Sequence, residues 1–401
     1  MDLIIRRDTY GIAHIRAQSL TAGFYGQGLV HVEDRWTQMD GDRRRAYGRT
    51  AELLGESAVA VDQFWRPLGI GTVVREEYRQ LDEATRRMVD AYARGVNAAL
   101  AVPPACYVQL GWPVEPWQPW DSLAVMKARH LLMGVVERKL WWAKVAETVG
   151  RDRLGALVRA MSGPSLVIVP PGQGTTAPPL EVDGVALPDN SPPEGSQGSN
   201  SWVLAGGRTS SGRPILAGDP HRGLEVPNVY YPVHLTVPDW DAIGESFAGV
   251  PGLPHFGHNQ RVAWAITHTG ADTQDLYVEH LRDPECEYQA DEEMIQVAGA
   301  APRSVTVART RRGPVIHVMD DKTTGLALRA TALDPAPEQY ACLHRMLGAS
   351  SLEALFESQR GWVDPVNNFL GADQDGHIGY LMRGRVPVRS KENLLGPVPG
   401  G

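Results

Sequence analysis

Between residues 163 and 198 the chain runs GPSLVIVPPGQGTTAPPLEVDGVALPDNSPPEGSQG, a tract so rich in Pro, Gly and Ser that no helical repeat can be traced over most of its length. Turn formers at that density leave few positions able to face a core, so the tract reads as an exposed linker. It separates two halves of different periodicity. Upstream, in DEATRRMVDAYARGVNAAL (82–100), Met88, Val89, Tyr92, Val96, Ala99 and Leu100 recur at three- and four-residue spacing, and Asp82 stands where an N-cap belongs. Residues 121–149 carry a helical pattern with an interruption at Gly134, and residues 3–17 alternate about Asp8 to Gly11 as a β-hairpin does. Downstream of Ser199 the apolar residues fall into short runs rich in Val, Ile, Tyr and Trp, divided by turn signals at 210–212, 249–254 and 375–376. That half reads as sheet, with Asp373 to Gly376 as a tight hairpin turn and one helix near 350–358, where Ser350 and Glu353 have capping-box spacing. The expected organisation is a mainly helical region 1–162, a linker 163–198 and a sheet-rich region 199–401.

The 401 residues carry a net charge of -8, with 43% hydrophobic and 21% charged residues. This is a globular composition without the basic blocks of a nucleic-acid binder, and it favours a small-molecule partner. The longest apolar runs fall short of the roughly 20 residues that span a bilayer. The N-terminus does not read as a secretory signal, and three cysteines (Cys106, Cys286, Cys342) lack metal-ligand spacing, so reduced thiols with packing roles and a cytoplasmic location are expected.

The border GSNSW places Ser199 at the head of the first strand after the linker. A serine hydroxyl needs a base beside it, and one arrangement uses the residue's own N-terminal amine. An α-amine titrates near about 7.7 to 8.0, so much of it is neutral and able to accept the hydroxyl proton, whereas a lysine near about 10.4 needs a large shift first. That chemistry requires a cut between Gly198 and Ser199; the alternative is an ordinary loop exit. A conventional triad on a GxSxG elbow has no counterpart in the sequence.

Four groups of motifs, in order, bear on the choice: RRDTYGIAHIRA and GQGLVHVEDRWTQMD with GRTAELLG; GSNSWVLAGGRTSSGRPILAGDPHRGLEVPNVYY; GLPHFGHNQRVAWAITHTGADTQDLYVE; and NNFLGADQDGHIGYLMRGRVPVR. Over nearly its whole length the chain resembles the penicillin acylases, which are N-terminal nucleophile hydrolases. The resemblance implies an α+β fold, the four-layered αββα sandwich, in a zymogen that cleaves itself into associated α and β chains. It makes Ser199 the nucleophile, its freed amine the base, Gly198 the residue before the cut, and Asn200 an orienting group. His221 matches the histidine close to the nucleophile that is tied to self-cleavage or positioning, with a satisfied core histidine as the alternative. The backbone amide of His268, in ITHTGAD, falls where the family has one oxyanion donor, although a histidine side chain is a departure there.

The second donor of the family, an asparagine farther along, has no safe counterpart, so a catalytically silent, truncated homologue is the competing expectation. Some members bind calcium, and Asp272, Asp275 and the Gln274 carbonyl match those ligands, with Glu137 as a remote fourth; a solvated loop is the alternative. Tyr230, Tyr231 and Phe256 are candidates for lining an acyl pocket, against a plain core role, and Arg222 for meeting a carboxylate on the leaving amine, against a surface role. The implied reaction is hydrolysis of an N-acyl amide, with β-lactams of antibiotic metabolism, acylated lactones and acyl peptides all open.

Overall fold

A computed structural model describes residues 3–150 and 198–389 apart from Leu224, together with Arg153, Asn393 and 396–400. The expected linker therefore lies outside the described residues up to Gln197.

The N-terminal hairpin forms as expected, with β1 (Leu3–Arg7) antiparallel to β2 (Ala13–Ala17). Helix α1 (Leu20–Tyr47) starts at Ser19, whose Oγ accepts from the Ala22 amide at 3.1 Å, and stops at Gly48, which takes the left-handed conformation at φ +59°. Short helices α2 (Ala51–Leu54), α3 (Val59–Trp65) and α4 (Ile70–Gln80) lead to α5 (Glu83–Ala99), capped by Asp82 through the Thr85 amide at 2.8 Å. α6 (Ala105–Leu110) precedes α7 (Pro119–Leu131), and the break anticipated at Gly134 separates α7 from α8 (Val136–Val149). The longest contact in this layer is between α1 and α5, where glycines let the backbones touch: a Cβ on Gly95 would stand 1.9 Å from the Tyr25 carbonyl oxygen, and one on Gly28 would stand 2.3 Å from that of Tyr92.

The second half supplies the strands β3 (Gly198–Leu204), β4 (Ile215–His221), β5 (Tyr230–Val237), β6 (Trp240–Phe247), β7 (Phe256–Asn259), β8 (Val262–His268), β9 (Gln274–His280), β10 (Gln289–Ile295), β11 (Arg303–Thr310), β12 (Gly313–Val318), β13 (Thr324–Ala330), β14 (Asn367–Asp373), β15 (Ile378–Arg383) and β16 (Val398–Pro399). Two short helices, α9 (Cys342–Arg345) and α10 (Leu352–Glu357), lie between β13 and β14. The cap of α10 is Ser351, whose Oγ accepts from the Ala354 amide at 3.2 Å, one residue beyond the expected Ser350. Asp373 shifts the start, because its Oδ2 accepts from the Leu352 amide while its Oδ1 holds the Asp375 and His377 amides of the β14–β15 turn.

One sheet runs β1-β2-β5-β6-β7-β8-β14-β15 and another β10-β11-β12-β13-β9-β16, while β3 and β4 form a separate hairpin. The chain is thus α+β, helical in its first half and sheet-rich in its second. In the larger sheet every pair is antiparallel except β2 with β5, which pair in parallel from Ala13 with Val233 to Arg16 with Thr236. Along β5 the buried residues Tyr231, Val233, Leu235 and Val237 alternate with half-buried ones and turn toward α1.

At that junction His31 of α1 is fully buried, with Nδ1 2.6 Å from the Tyr92 hydroxyl and Nε2 3.0 Å from Ser246 Oγ. The Tyr92 oxygen accepts from the Gly249 amide and the Ser246 hydroxyl donates to the Tyr231 carbonyl, so the chain of bonds is complete with a neutral ring protonated at Nε2. Burial, aided by Arg35, holds His31 at about 3. Because this folded value lies below the unfolded one, the unfolded chain takes up the proton first, and the stability His31 contributes is lost as pH falls from about 6.5 toward 3, by roughly 2 kcal/mol at pH 5. A histidine-selective NMR titration should leave His31 neutral down to pH 5; a midpoint near that of an exposed imidazole contradicts the network.

Candidate active site

The β3–β4 hairpin carries the candidate residues. Its register pairs Gly198 with His221, Ser199 with Pro220, Asn200 with Asp219 and Ser201 with Gly218. Exposure alternates along β3: Gly198, Asn200, Trp202 and Leu204 are exposed, while Ser199, Ser201 and Val203 are half-buried. Ser199 therefore lies on the inner face at the start of the strand. The hairpin lies over β8 and β14, and Gly218 makes the close approach possible, since a Cβ there would stand 2.7 Å from the Phe256 ring and 2.9 Å from Ala265 Cβ.

His221 sits on the outer face, directly across from Gly198. Its Nε2 lies 3.0 Å from Asp219 Oδ2 and 3.2 Å from Asn200 Nδ2, and its Nδ1 is the nearest atom to a Cβ built on Gly198, at 3.4 Å. The imidazole is thus brought to the Gly198 side of the border, together with Asn200, and not to the Ser199 side chain, because neighbouring residues of a strand point to opposite faces.

Beneath the hairpin the sheet offers an aromatic floor. Tyr230 and Phe256 stand with ring centres 5.5 Å apart, and Phe247 stacks on Tyr230 at 5.5 Å. Arg222, the residue after β4, places its guanidinium 5.9 Å from the centre of the Tyr230 ring. Tyr231 does not join them. It lies on the other face of β5, 5% exposed, with its hydroxyl donating to Asp34 and its ring 4.8 Å from His31, so the expected pocket role is corrected to a core contact with α1. Tyr230 is fixed from behind by Arg35, at a kink in α1 (φ -140°), whose guanidinium donates to the carbonyls of Asn228 and Tyr230.

His268 ends β8 and pairs with Asn367. Ala265 faces the hairpin, so Ala263 and Thr267 share that side by alternation, whereas Trp264, Ile266 and the His268 ring turn to the helical side. Only the backbone of His268 is available to the hairpin side. Burial, with Arg222 adding to it, holds the ring below the ordinary histidine value.

Several polar groups at the site carry no motif of their own. His255 is fully buried against Phe247 and Tyr230, held well below the ordinary value by burial and then by Arg383 and Arg222. Glu245, across from Phe256 in the register, is pushed up by burial and only partly drawn back by Arg35. On the hairpin side, Asn368 Nδ2 donates to Thr267 Oγ1 at 2.8 Å and Asn368 Oδ1 accepts from the Tyr380 hydroxyl at 2.8 Å, a polar ladder across β8, β14 and β15. The period-two pattern of NNFLGAD and AWAITH could have put Asn368 and Thr267 on one face; nothing local marks their pairing.

The residues expected to hold calcium do not fit it. Lys139 Nζ lies 2.6 Å from Asp275 Oδ1 and 2.9 Å from Asp272 Oδ2, and Arg389 lies 3.0 Å from the other oxygen of each. All four carboxylate oxygens face cationic nitrogens. The Gln274 side chain is used elsewhere, its Oε1 accepting from the Val135 and Val136 amides and its Nε2 donating to the Leu131 carbonyl. Glu137 borders a small cavity with Phe64, Trp65 and Gln274. Among the described residues no group of three or more His, Cys, Asp or Glu is arranged to hold a metal ion.

The penicillin amidase family profile matches residues 2–401. The penicillin acylase 2 proenzyme of Pseudomonas sp. (strain SE83) is 40% identical over 99% of this chain and 54% of its own length. The acyl-homoserine lactone acylase QuiP of Pseudomonas aeruginosa is 29% identical over 99% of this chain and 51% of its own. A thermostable penicillin G acylase from Alcaligenes faecalis superposes on 50% of this chain and 38% of its own with a TM-score of 0.45 at 24% identity. The chain spans about half the length of the curated relatives it matches. With the profile covering almost every residue and the serine-headed hairpin in place, the chain belongs to the penicillin amidase family.

Proposed function

We propose that this chain is the catalytic portion of an amidohydrolase that cuts itself between Gly198 and Ser199 and then hydrolyses an N-acylated small molecule. The observation that carries the reading is the register of the hairpin: the Gly198–Ser199 bond opens a strand, with His221 and its Asp219 partner on the outer face and Ser199 on the inner one, the face by which Gly218 of the same hairpin meets Phe256. The relative at 40% identity is named as a proenzyme, in keeping with a cut precursor.

In the first step Ser199 Oγ attacks the Gly198 carbonyl carbon, the amide nitrogen leaves as the α-amine, and water hydrolyses the resulting ester to free the Gly198 carboxylate. The Asp219–His221 pair stands beside Gly198 and carries the proton to the departing nitrogen. In the second reaction the α-amine takes the Ser199 proton, Oγ forms an acyl ester with the substrate, the substrate amine departs protonated, and water releases the acid. The His268 backbone amide meets the oxyanion, where a single donor contributes roughly 2.7 to 4 kcal/mol. Tyr230 and Phe256 hold the acyl group, and Arg222, a cation at the same end of the hairpin, favours a leaving amine that bears a carboxylate. β-Lactams and acylated lactones are both candidate substrate classes.

Ser199→Ala should leave an uncut precursor devoid of amidase activity, because one hydroxyl serves both steps, while Ser199→Cys should still cleave. Intact-mass measurement alongside hydrolysis of a panel of N-acyl amides reads both. An uncut wild type that hydrolyses amides, or an active Ser199→Ala variant, removes the reading. Arg222→Ala should lower kcat/KM by about 10- to 100-fold for substrates whose amine carries a carboxylate, as expected for losing one charged hydrogen bond, and leave neutral amines nearly unaffected. An equal loss for both classes places Arg222 outside the leaving-group site.

A further inference from the structure

The carboxylate pair that resemblance assigns to calcium is neutralised from within the chain. Lys139, Asp272, Asp275 and Arg389 are 2%, 13%, 5% and 9% exposed in their side chains, and they make two acids and two bases in one buried cluster. Charge therefore balances without an ion. A divalent cation added to it would leave two positive charges uncompensated in a site largely removed from water, a heavy electrostatic cost. The ammonium also reaches both carboxylates at once, as an ion between them would.

We infer that Lys139 is a built-in cation occupying the place of a structural metal, and that this cluster clamps the two halves of the chain without calcium. The topology gives the clamp its consequence. Lys139 lies on α8, upstream of the Gly198–Ser199 border, whereas Asp272 and Asp275 flank the start of β9 and Arg389 follows β15, all downstream. Between the two aspartates, Gln274 reaches back to the break between α7 and α8 and fills the space over Gly134, where a Cβ would stand 1.9 Å from its amide carbon. One loop, held by four charges, thus sets both the helix break and the segment that leaves His268. The inference holds whether or not the chain is cut, so it stands apart from the proposed hydrolysis.

The test is thermal unfolding of the 401-residue chain with calcium and with chelator, together with elemental analysis of the purified protein. The expected result is less than a tenth of a calcium per chain and a chelator-independent Tm. Lys139→Met should lower Tm by on the order of 5 °C, since it leaves one carboxylate charge unbalanced in a buried site. Should Lys139→Met fail to fold, the charge-balanced Lys139→Met/Asp272→Asn variant decides: recovery of folded protein supports the clamp, and equal failure overturns it. Near-stoichiometric calcium with a chelator-sensitive Tm, or a Lys139→Met variant that melts with the wild type, also overturns it.

Discussion

The parallel ladder between β2 and β5 is the constraint on which the rest of the molecule depends. Parallel neighbours need a long crossover, and here it runs from Ala17 to Tyr230 through the helical layer and the β3–β4 hairpin. Ala13, Ile15, Val233 and Leu235 are all within 1% of complete burial, so the ladder is a core element and not an edge contact. Helix α1 closes over it so tightly that a Cβ on Gly26 would stand 2.7 Å from Ile15. Segments on either side of Gly198 thereby belong to one sheet and one core, and breaking the peptide bond between Gly198 and Ser199 touches no hydrogen bond of the β2–β5 ladder. The two pieces left by the proposed cut would stay assembled for that reason, with the charge cluster about Lys139 as a second tie.

The sheet also fixes what the site can be. Its two faces are made different by alternation: one is packed by α1 through Tyr231 and by the helical side through Trp264, and the other is left for the hairpin through Ala265, Phe256 and Tyr230. Gly218 lets the hairpin settle at backbone distance on that second face. A serine at the head of β3 is then placed on the hairpin's inner face by the pleat alone, with the cation of Arg222 at the same end. Burial does the electrostatic work below it. Burial holds His255 and His268 below the ordinary histidine value, and cations stand at the floor's aromatic rings, Arg222 at Tyr230 and Arg129 at Phe247.

What could be read from the sequence is what is local. Asp82 caps α5, Gly134 interrupts the helical run, and Asp8 to Gly11 turns the first hairpin, because each depends on residues within one or two turns of each other. Errors arise where distant partners decide. Ser350 has the capping-box spacing to Glu353, yet Ser351 is the cap, and Asp373 favours it by taking the Leu352 amide. Tyr230 and Tyr231 are equally aromatic, and only the pairing of β5 with β2, under α1, says which one meets the core. The acidic pair expected to hold calcium is met by Lys139, which lies 136 residues from Asp275 and belongs to no motif. An acidic pair can be recognised in a sequence, but the cation that satisfies it cannot, since ion pairing is set by the fold.

The proposed double use of Ser199 also follows from strand geometry. Consecutive residues of β3 present their side chains to opposite faces, so a border residue and its neighbour cannot share one environment. Gly198 and Asn200 share the outer face with His221 and Asp219, where water has access and the imidazole side chain is 44% exposed. Ser199 shares the inner face with Ser201 and Val203, above Phe256 and Ala265. On the proposed reading, proton traffic for breaking the chain is supplied from the wet side, and the substrate is met on the dry side. The peptide bond itself lies in the strand between them. In the proposed reactions one hydroxyl serves both because Oγ is a single rotatable bond from the backbone: turned back it addresses the preceding carbonyl, and turned away it addresses the inner face. Once the bond is cut, the new amine remains on the same Cα, so the base for the second reaction is delivered by the first.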